Sequence, residues 1–310
     1  MQREGLIVER SQLGTKIAHR RVRKRIHQIS VGVVVPKSSR DILGGALFFL
    51  DEMRKFFEAR QITMQIHRAK YLPGNAVAMD FEKTIRENAH ACWILVSPMA
   101  PMQRWCKQNG VRAMVVGIGN HDFPSISVDY HALCRHAAGE MLRLGHRRLA
   151  IILPSNEKIE DVQSCLGFQA GLESSSHSDA FITREYHDQT TRGVCLLTDR
   201  LLRRSQGPTA WLVCRQGHFV TMLTYLLHKG VKIPSQISLV SRNTDVFAGD
   251  IVPSPTRYVI NDKSYARKCA RLALKVIDGH ASEEEVVSIM PDFLPGETLG
   301  PLGKGDGDPG

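Results

Sequence analysis

From residue 29 onward, two hydrophobic spacings take turns along the chain. Residues 29–35 read Ile-Ser-Val-Gly-Val-Val-Val and stop at Pro36. So short a β-branched run predicts a strand covered on both faces. A polar loop over 37–41 follows, and then residues 42–59 carry Leu43, Ala46, Leu47, Leu50, Met53 and Phe57 at helical spacing. Further strands are predicted over 62–66, 91–96 and 112–116, with a helix over 77–88. Strands alternating with helices predict parallel βαβ units and a sheet covered on both faces.

The second half repeats the alternation. Helices are predicted over 130–144, closed by Gly145, and over 161–172, 191–203 and 217–228, the last ended by Gly230. Strands are predicted over 148–153, 181–186, 210–213 and 237–240. The expectation is an α/β chain of two similar lobes, each a parallel sheet flanked by helices. Open parallel sheets bind ligands beyond the carboxyl ends of their strands. Two sets of such ends, facing each other, enclose a cleft. Residues 300–310, rich in Gly, Asp and Pro, are expected to be disordered.

Charge adds a possible partner. The chain of 310 residues carries a net charge of +10, which permits contact with a polyanion such as DNA. Lys16, Arg20, Arg21, Arg23, Lys24 and Arg25 fall in one segment without an acidic residue. A charge run is often no more than a solvated surface. This one joins two different kinds of sequence, which favours a tether lying near DNA phosphates.

Several chemistries drop out. The seven cysteines are scattered with no Cys-x-x-Cys pair, as expected for buried reduced thiols. No clustered Cys or His ligands suggest zinc, and no metal or cofactor is expected. Gly117-Ile118-Gly119 lacks the third glycine of a dinucleotide fingerprint and reads as a turn. His121-Asp122 and His187-Asp188 resemble a base with its orienting acid, but no nucleophile motif accompanies them, so no catalytic residue is assigned. His146 is expected to pack at a helix-to-strand turn. No apolar run reaches membrane-spanning length, and residues 1–5 are charged at once. The expectation is a cytoplasmic protein without a membrane partner.

Two stretches carry a family resemblance. The first is Val128-Asp129-Tyr130, continued by Ala137 to Glu140 and by Leu144-Gly145-His146-Arg147-Arg148-Leu149-Ala150. The second is Gly230-Val231-Lys232-Ile233-Pro234 with Ile237-Ser238-Leu239-Val240. Leu166-Gly167-Phe168 lies between them. Together they resemble the LacI/GalR-type effector domain, of periplasmic-binding-protein-like type I fold. That resemblance implies a two-lobed effector-binding domain over 29–299. Lobe 1 would take about 29–128 and 257–288, and lobe 2 about 129–256 and 289–299. It implies a sugar or sugar derivative held between the lobes, and a homodimer through helices beginning near Ile42 and Gly217. By position, it places Ser39, Arg40, Asp41, Ser97, Lys158, Arg215, Asn243 and Asn261 at the ligand. Val162 stands where the family often has a sugar-binding Arg. With Asn243 neutral and Arg215 new, Arg40 and Arg215 are expected to take an anionic ligand group.

The N-terminus is similar to something else. Glu4-Gly5-Leu6-Ile7-Val8-Glu9-Arg10 and Leu13-Gly14-Thr15-Lys16-Ile17-Ala18 resemble the last part of a GntR-type winged helix. Residues 1–18 would form a short β-wing and 19–28 a basic linker. Arg10, Gly14, Thr15, Lys16, Arg20 and Arg21 would contact DNA. The helix-turn-helix of such a head would precede Met1. A wing and tether alone touch phosphates but read few bases. Two readings stay open, a transcriptional regulator and a stand-alone solute-binding module without DNA-binding activity.

Overall fold

The computed structural model describes residues 7–8, 16–17, 29–37, 45–72, 76–119, 122–156, 158–243 and 246–302. Near the start of the chain, β1 (Ile7–Val8) pairs antiparallel with β2 (Lys16–Ile17). The first lobe follows with β3 (Ser30–Pro36), α1 (Gly45–Glu58), β4 (Thr63–Ala69), α2 (Met79–Glu87), β5 (Cys92–Val96), α3 (Ala100–Gln108), β6 (Ala113–Val116) and β7 (Ser125–Val128). The helix expected from residue 42 is described from Gly45, and 42–44 lie outside the described residues. Hydrophobic spacing missed α3 and β7. α3 opens on Ala-Pro-Met-Gln, with a proline that only a helix's first turn tolerates. β7, Ser-Ile-Ser-Val, offers two apolar positions.

β3 explains its own apolar run. Val31, Val33 and Val35 pack with Phe49, Leu50, Met53 and Phe57 of α1. Val34 faces the other way, toward Phe81, Ile85 and Met102 of α2 and α3. A strand buried on both faces needs no polar alternation. Each fully buried aliphatic side chain stabilises the fold by ~1.5–3 kcal/mol relative to exposure.

The second lobe repeats the plan with α4 (Tyr130–Arg143), β8 (Arg148–Pro154), α5 (Ile159–Glu173), β9 (Phe181–His187), α6 (Thr191–Leu202), β10 (Ala210–Val213), α7 (Gln216–His228), β11 (Ser238–Ser241) and β12 (Thr256–Val259). In β8, Leu149, Ile151 and Leu153 face α4 and α5, while Ala150 and Ile152 face α6 and α7. The chain then returns. α8 (Asp262–Ile277) packs beside α1, β13 (Val286–Ile289) joins β7, and β14 (Asp292–Leu294) runs antiparallel to β12.

The sheet orders are β13-β7-β6-β5-β3-β4 and β14-β12-β11-β10-β8-β9, parallel throughout except for β14. Each places its first strand between its second and third. The expected α/β architecture of two similar lobes is therefore present. Three short crossings join the lobes, at about 129, 260 and 290. The second lies after Val259 rather than at 256, because β12 pairs with β11 in the second sheet.

α4 and α5 pack unusually closely. A Cβ on Gly167 would meet the His131 carbonyl oxygen, and one on Gly171 would lie 2.6 Å from that of Arg135. Two glycines four residues apart on one helix face permit the approach. At the end of α4, His146 is buried as expected of a turn-packing residue. Its Nδ1 lies 2.9 Å from Thr209 Oγ1 and its Nε2 3.0 Å from the Gly300 carbonyl. This corrects the start of the expected tail, since Gly300 is buried and bonded and the described chain continues to Leu302; residues 303–310 lie outside the described residues. All seven cysteines are free; six are buried, and Cys195 is partly exposed.

Candidate functional site

Strand order reverses between β3 and β5 in the first sheet and between β8 and β10 in the second. Open α/β sheets take ligands outside the carboxyl ends at such switch points. In the first lobe that position falls at Ser97, directly after β5. Ser97 is exposed, has φ of +46°, and donates its backbone N–H to the Val116 carbonyl at 2.7 Å. A left-handed non-glycine residue is uncommon, and such residues concentrate at functional positions. Gly117 beside it forms the expected turn with φ of +121°. Ser39, Arg40 and Asp41 lie outside the described residues.

In the second lobe the centre is Asp161, in the first turn of α5. Its side chain is wholly buried. Oδ1 accepts from Arg215 Nη1 at 2.8 Å and Arg242 Nη1 at 2.9 Å. Oδ2 accepts from Arg215 Nη2 at 2.7 Å and the Lys158 backbone N–H at 3.1 Å. Burial pushes this carboxyl up, but the Arg215 hydrogen bonds and the Arg242 charge outweigh it and hold it below the usual carboxylate range.

Arg242, at the end of β11, is also wholly buried. Nη1 donates further to Ser164 Oγ at 2.7 Å, and the guanidinium lies 4.7 Å from the centre of the Tyr130 ring. Among the described residues, its Nε and Nη2 have no acceptor. The anion clamp expected at Arg215 is not open, because both terminal nitrogens already face Asp161. Asp161 and the two arginines form an internal triad that ties α5 to the ends of β10 and β11.

Around that triad stand three of the residues read from the sequence. Lys158 is exposed at the start of α5, Arg215 remains partly exposed, and Asn243 follows Arg242 in the chain. The Asn243 carbonyl accepts from Ser241 Oγ at 2.6 Å. Asn261 does other work: its Oδ1 caps α8 by accepting from the Ser264 N–H at 2.9 Å. Asp161, Arg242 and Tyr130 were missed. The available signal was a charged residue directly after the buried strand Ser238–Ser241.

At the end of β9 lies a histidine pair. The His187 and His218 rings are 4.1 Å apart, and His187 Nδ1 accepts from the Gln189 N–H at 3.0 Å. His187 Nε2 and His218 Nδ1 are buried, with no hydrogen-bond partner among the described residues. Burial holds both imidazoles low, His187 at about 4, helped in each case by neighbouring groups including Arg215. Asp188 does not orient His187. Its Oδ1 accepts from the Thr190 N–H and hydroxyl at 2.9 and 2.7 Å. His121 lies outside the described residues. Among the described residues, no group of three His, Cys, Asp or Glu side chains could hold a metal, and no helix is long and apolar enough to cross a membrane. Of the expected DNA contacts, Lys16 lies in β2, while Arg10, Gly14, Thr15, Arg20 and Arg21 lie outside the described residues.

Two α/β lobes of one strand order, joined by three short crossings, define the periplasmic-binding-protein-like type I class. The chain belongs to the periplasmic binding protein-like domain family, which matches residues 138–299. No curated protein matches the chain in sequence. Solved structures match its fold. The transcription regulator CcpA of Lactococcus lactis is 16% identical with a TM-score of 0.71, over 88% of this chain and 99% of that one. A regulatory protein of the LacI family from Chloroflexus aggregans is 16% identical with a TM-score of 0.76, over 87% and 98%. A LacI-family regulator from Enterococcus faecium, solved with bound ribose, is 17% identical with a TM-score of 0.69, over 88% and 99%.

Proposed function

We propose that the chain is the effector-binding part of a transcriptional regulator. A small molecule, a sugar or sugar derivative, binds between the lobes and biases them toward a closed form. The observation that carries this reading is the pair of switch points. Both present polar, conformationally fixed groups at strand ends: Ser97 at positive φ in one lobe, and Arg215 and Asn243 on the Asp161 triad in the other. The Enterococcus faecium regulator, with ribose bound on the same fold, supports the ligand class.

The effector's differential affinity for open and closed lobes would set the state of a DNA-binding head. The β1–β2 pairing supports a GntR-type wing there, with Arg10, Gly14, Thr15, Lys16, Arg20 and Arg21 against DNA. A cytoplasmic homodimer with repressor activity completes the reading. Because Arg215 is already paired, neutral sugars fit this cleft better than sugar acids. Isothermal titration against ribose, other neutral sugars and sugar acids tests it. Binding of a neutral sugar, weakened by Asn243→Ala, is expected. A preference for acids, or no sugar binding at all, contradicts it.

A further inference from the structure

A second concavity lies between α4 and the end of α5, and it shares no residue with the cleft. Its volume is about 850 Å³, within the range of small-molecule sites. The residues lining it include Arg135, Arg143, His131, His136 and His177, the hydroxyls of residues 174–176, and no carboxylate. Arg143 is neutralised by Glu140 at 2.7 Å. Arg135 is not. Among the described residues no carboxylate pairs with it; its Nη2 donates to Ser174 Oγ at 3.1 Å, while the Ser174 hydroxyl itself donates to the Ala170 carbonyl at 2.7 Å. A guanidinium beside serine hydroxyls is a recognition set for phosphate oxygens.

Gly139 lines the groove, and an added Cβ there would meet nothing within 4 Å. The groove lies beside the crossings between the lobes, and one lining residue sits on a crossing. His131 lies just after the first. His136 Nδ1 is 2.7 Å from Tyr258 Oη on β12, which leads into the second. Met290 lies on the third, between β13 and β14.

We propose that this groove binds a phosphorylated small molecule, a phosphomonoester, at a site separate from the cleft and against the hinge. Arg135 and the hydroxyls of Ser175 and Ser176 take the phosphate, and the space over Gly139 takes the rest of the molecule. A ligand held there touches segments that change their course when the lobes move, so its occupancy is linked to opening and closing.

Isothermal titration of inorganic phosphate, glucose 6-phosphate, adenosine monophosphate and glucose into the wild-type chain, Arg135→Ala and Gly139→Phe tests the proposal. At least one phosphomonoester is expected to bind, about tenfold more weakly in Arg135→Ala and not at all in Gly139→Phe. The sugar and nucleotide arms show which body the groove accepts, and glucose is expected not to compete. Circular dichroism melting of Gly139→Phe verifies that the fold is kept, since the new side chain enters open space. Three outcomes overturn the proposal. They are no binding of any phosphate, binding unchanged in both variants, and binding lost in Asn243→Ala but kept in Gly139→Phe, which would place the ligand in the cleft.

Discussion

Arg215 and Asp161 meet fork to fork, Nη1 to Oδ1 at 2.8 Å and Nη2 to Oδ2 at 2.7 Å, with the carboxylate wholly buried. The pair does more than join two side chains. Asp161 also neutralises Arg242, which has no exposed surface of its own. Removing the carboxylate therefore strands a buried cation. Asp161→Ala is expected to destabilise the chain by about 3–5 kcal/mol, measured by urea unfolding. Arg215→Ala should cost clearly less, because Arg242 still pairs with Asp161 and Arg215 is partly exposed. Equal stability of Asp161→Ala and wild type would contradict the triad.

The histidine pair predicts an acid-sensitive fold. Burial holds the folded His187 at about 4, below the ordinary value near 6.5. At neutral pH both folded and unfolded chains are neutral there. As pH falls below about 6.5, the unfolded chain takes up the proton first, so stability falls with pH until about 4. The contribution lost is about 3 kcal/mol. Thermal melting from pH 7 to 4.5 should show a declining Tm, and His187→Gln should flatten the decline. An unchanged slope in that variant removes His187 as its cause.

Two glycines on neighbouring helices should respond in opposite directions. Gly167→Ala forces a methyl against the His131 carbonyl oxygen and should cost about 3 kcal/mol. Gly139→Ala, on the exposed side of α4 with open space around it, should gain about 1 kcal/mol from helix propensity. Paired denaturation curves decide this. A tolerated Gly167→Ala would mean that α4 and α5 do not approach as closely as described.

His146 latches the end of the described chain. Its two ring nitrogens reach Thr209 Oγ1 and the Gly300 carbonyl. His146→Ala should cost about 2–3 kcal/mol and raise amide exchange over 298–302 selectively. Exchange unchanged in that segment would show that other contacts hold it.

Much of the fold was legible in hydrophobic spacing, because strands such as β3 and β8 are buried on both faces and interrupted by helices with one apolar stripe. β7 and the returning β12, β13 and β14 were not legible. They are three or four residues long, each with at least one polar residue, and their pairing depends on chain that lies far away in sequence. The polar residues at the second lobe's strand ends were legible by position but their partners were not. Arg215 and the Lys158 backbone N–H meet one carboxylate, and Asn243 follows Arg242 in the chain. That carboxylate, Asp161, carried no sequence signal, because its two arginine partners stand 54 and 81 residues further along the chain. Asn261 illustrates the opposite case, a polar residue at the right position whose side chain is engaged in capping a helix.

Hydrogen exchange with and without the tightest-binding sugar tests the two-lobe site most directly. Binding between the lobes predicts slowed exchange at strand ends of both sheets together, near 97 and 117 in the first lobe and near 158–161, 214–216 and 242–243 in the second. Protection confined to one lobe, or to the groove between α4 and α5, would contradict it.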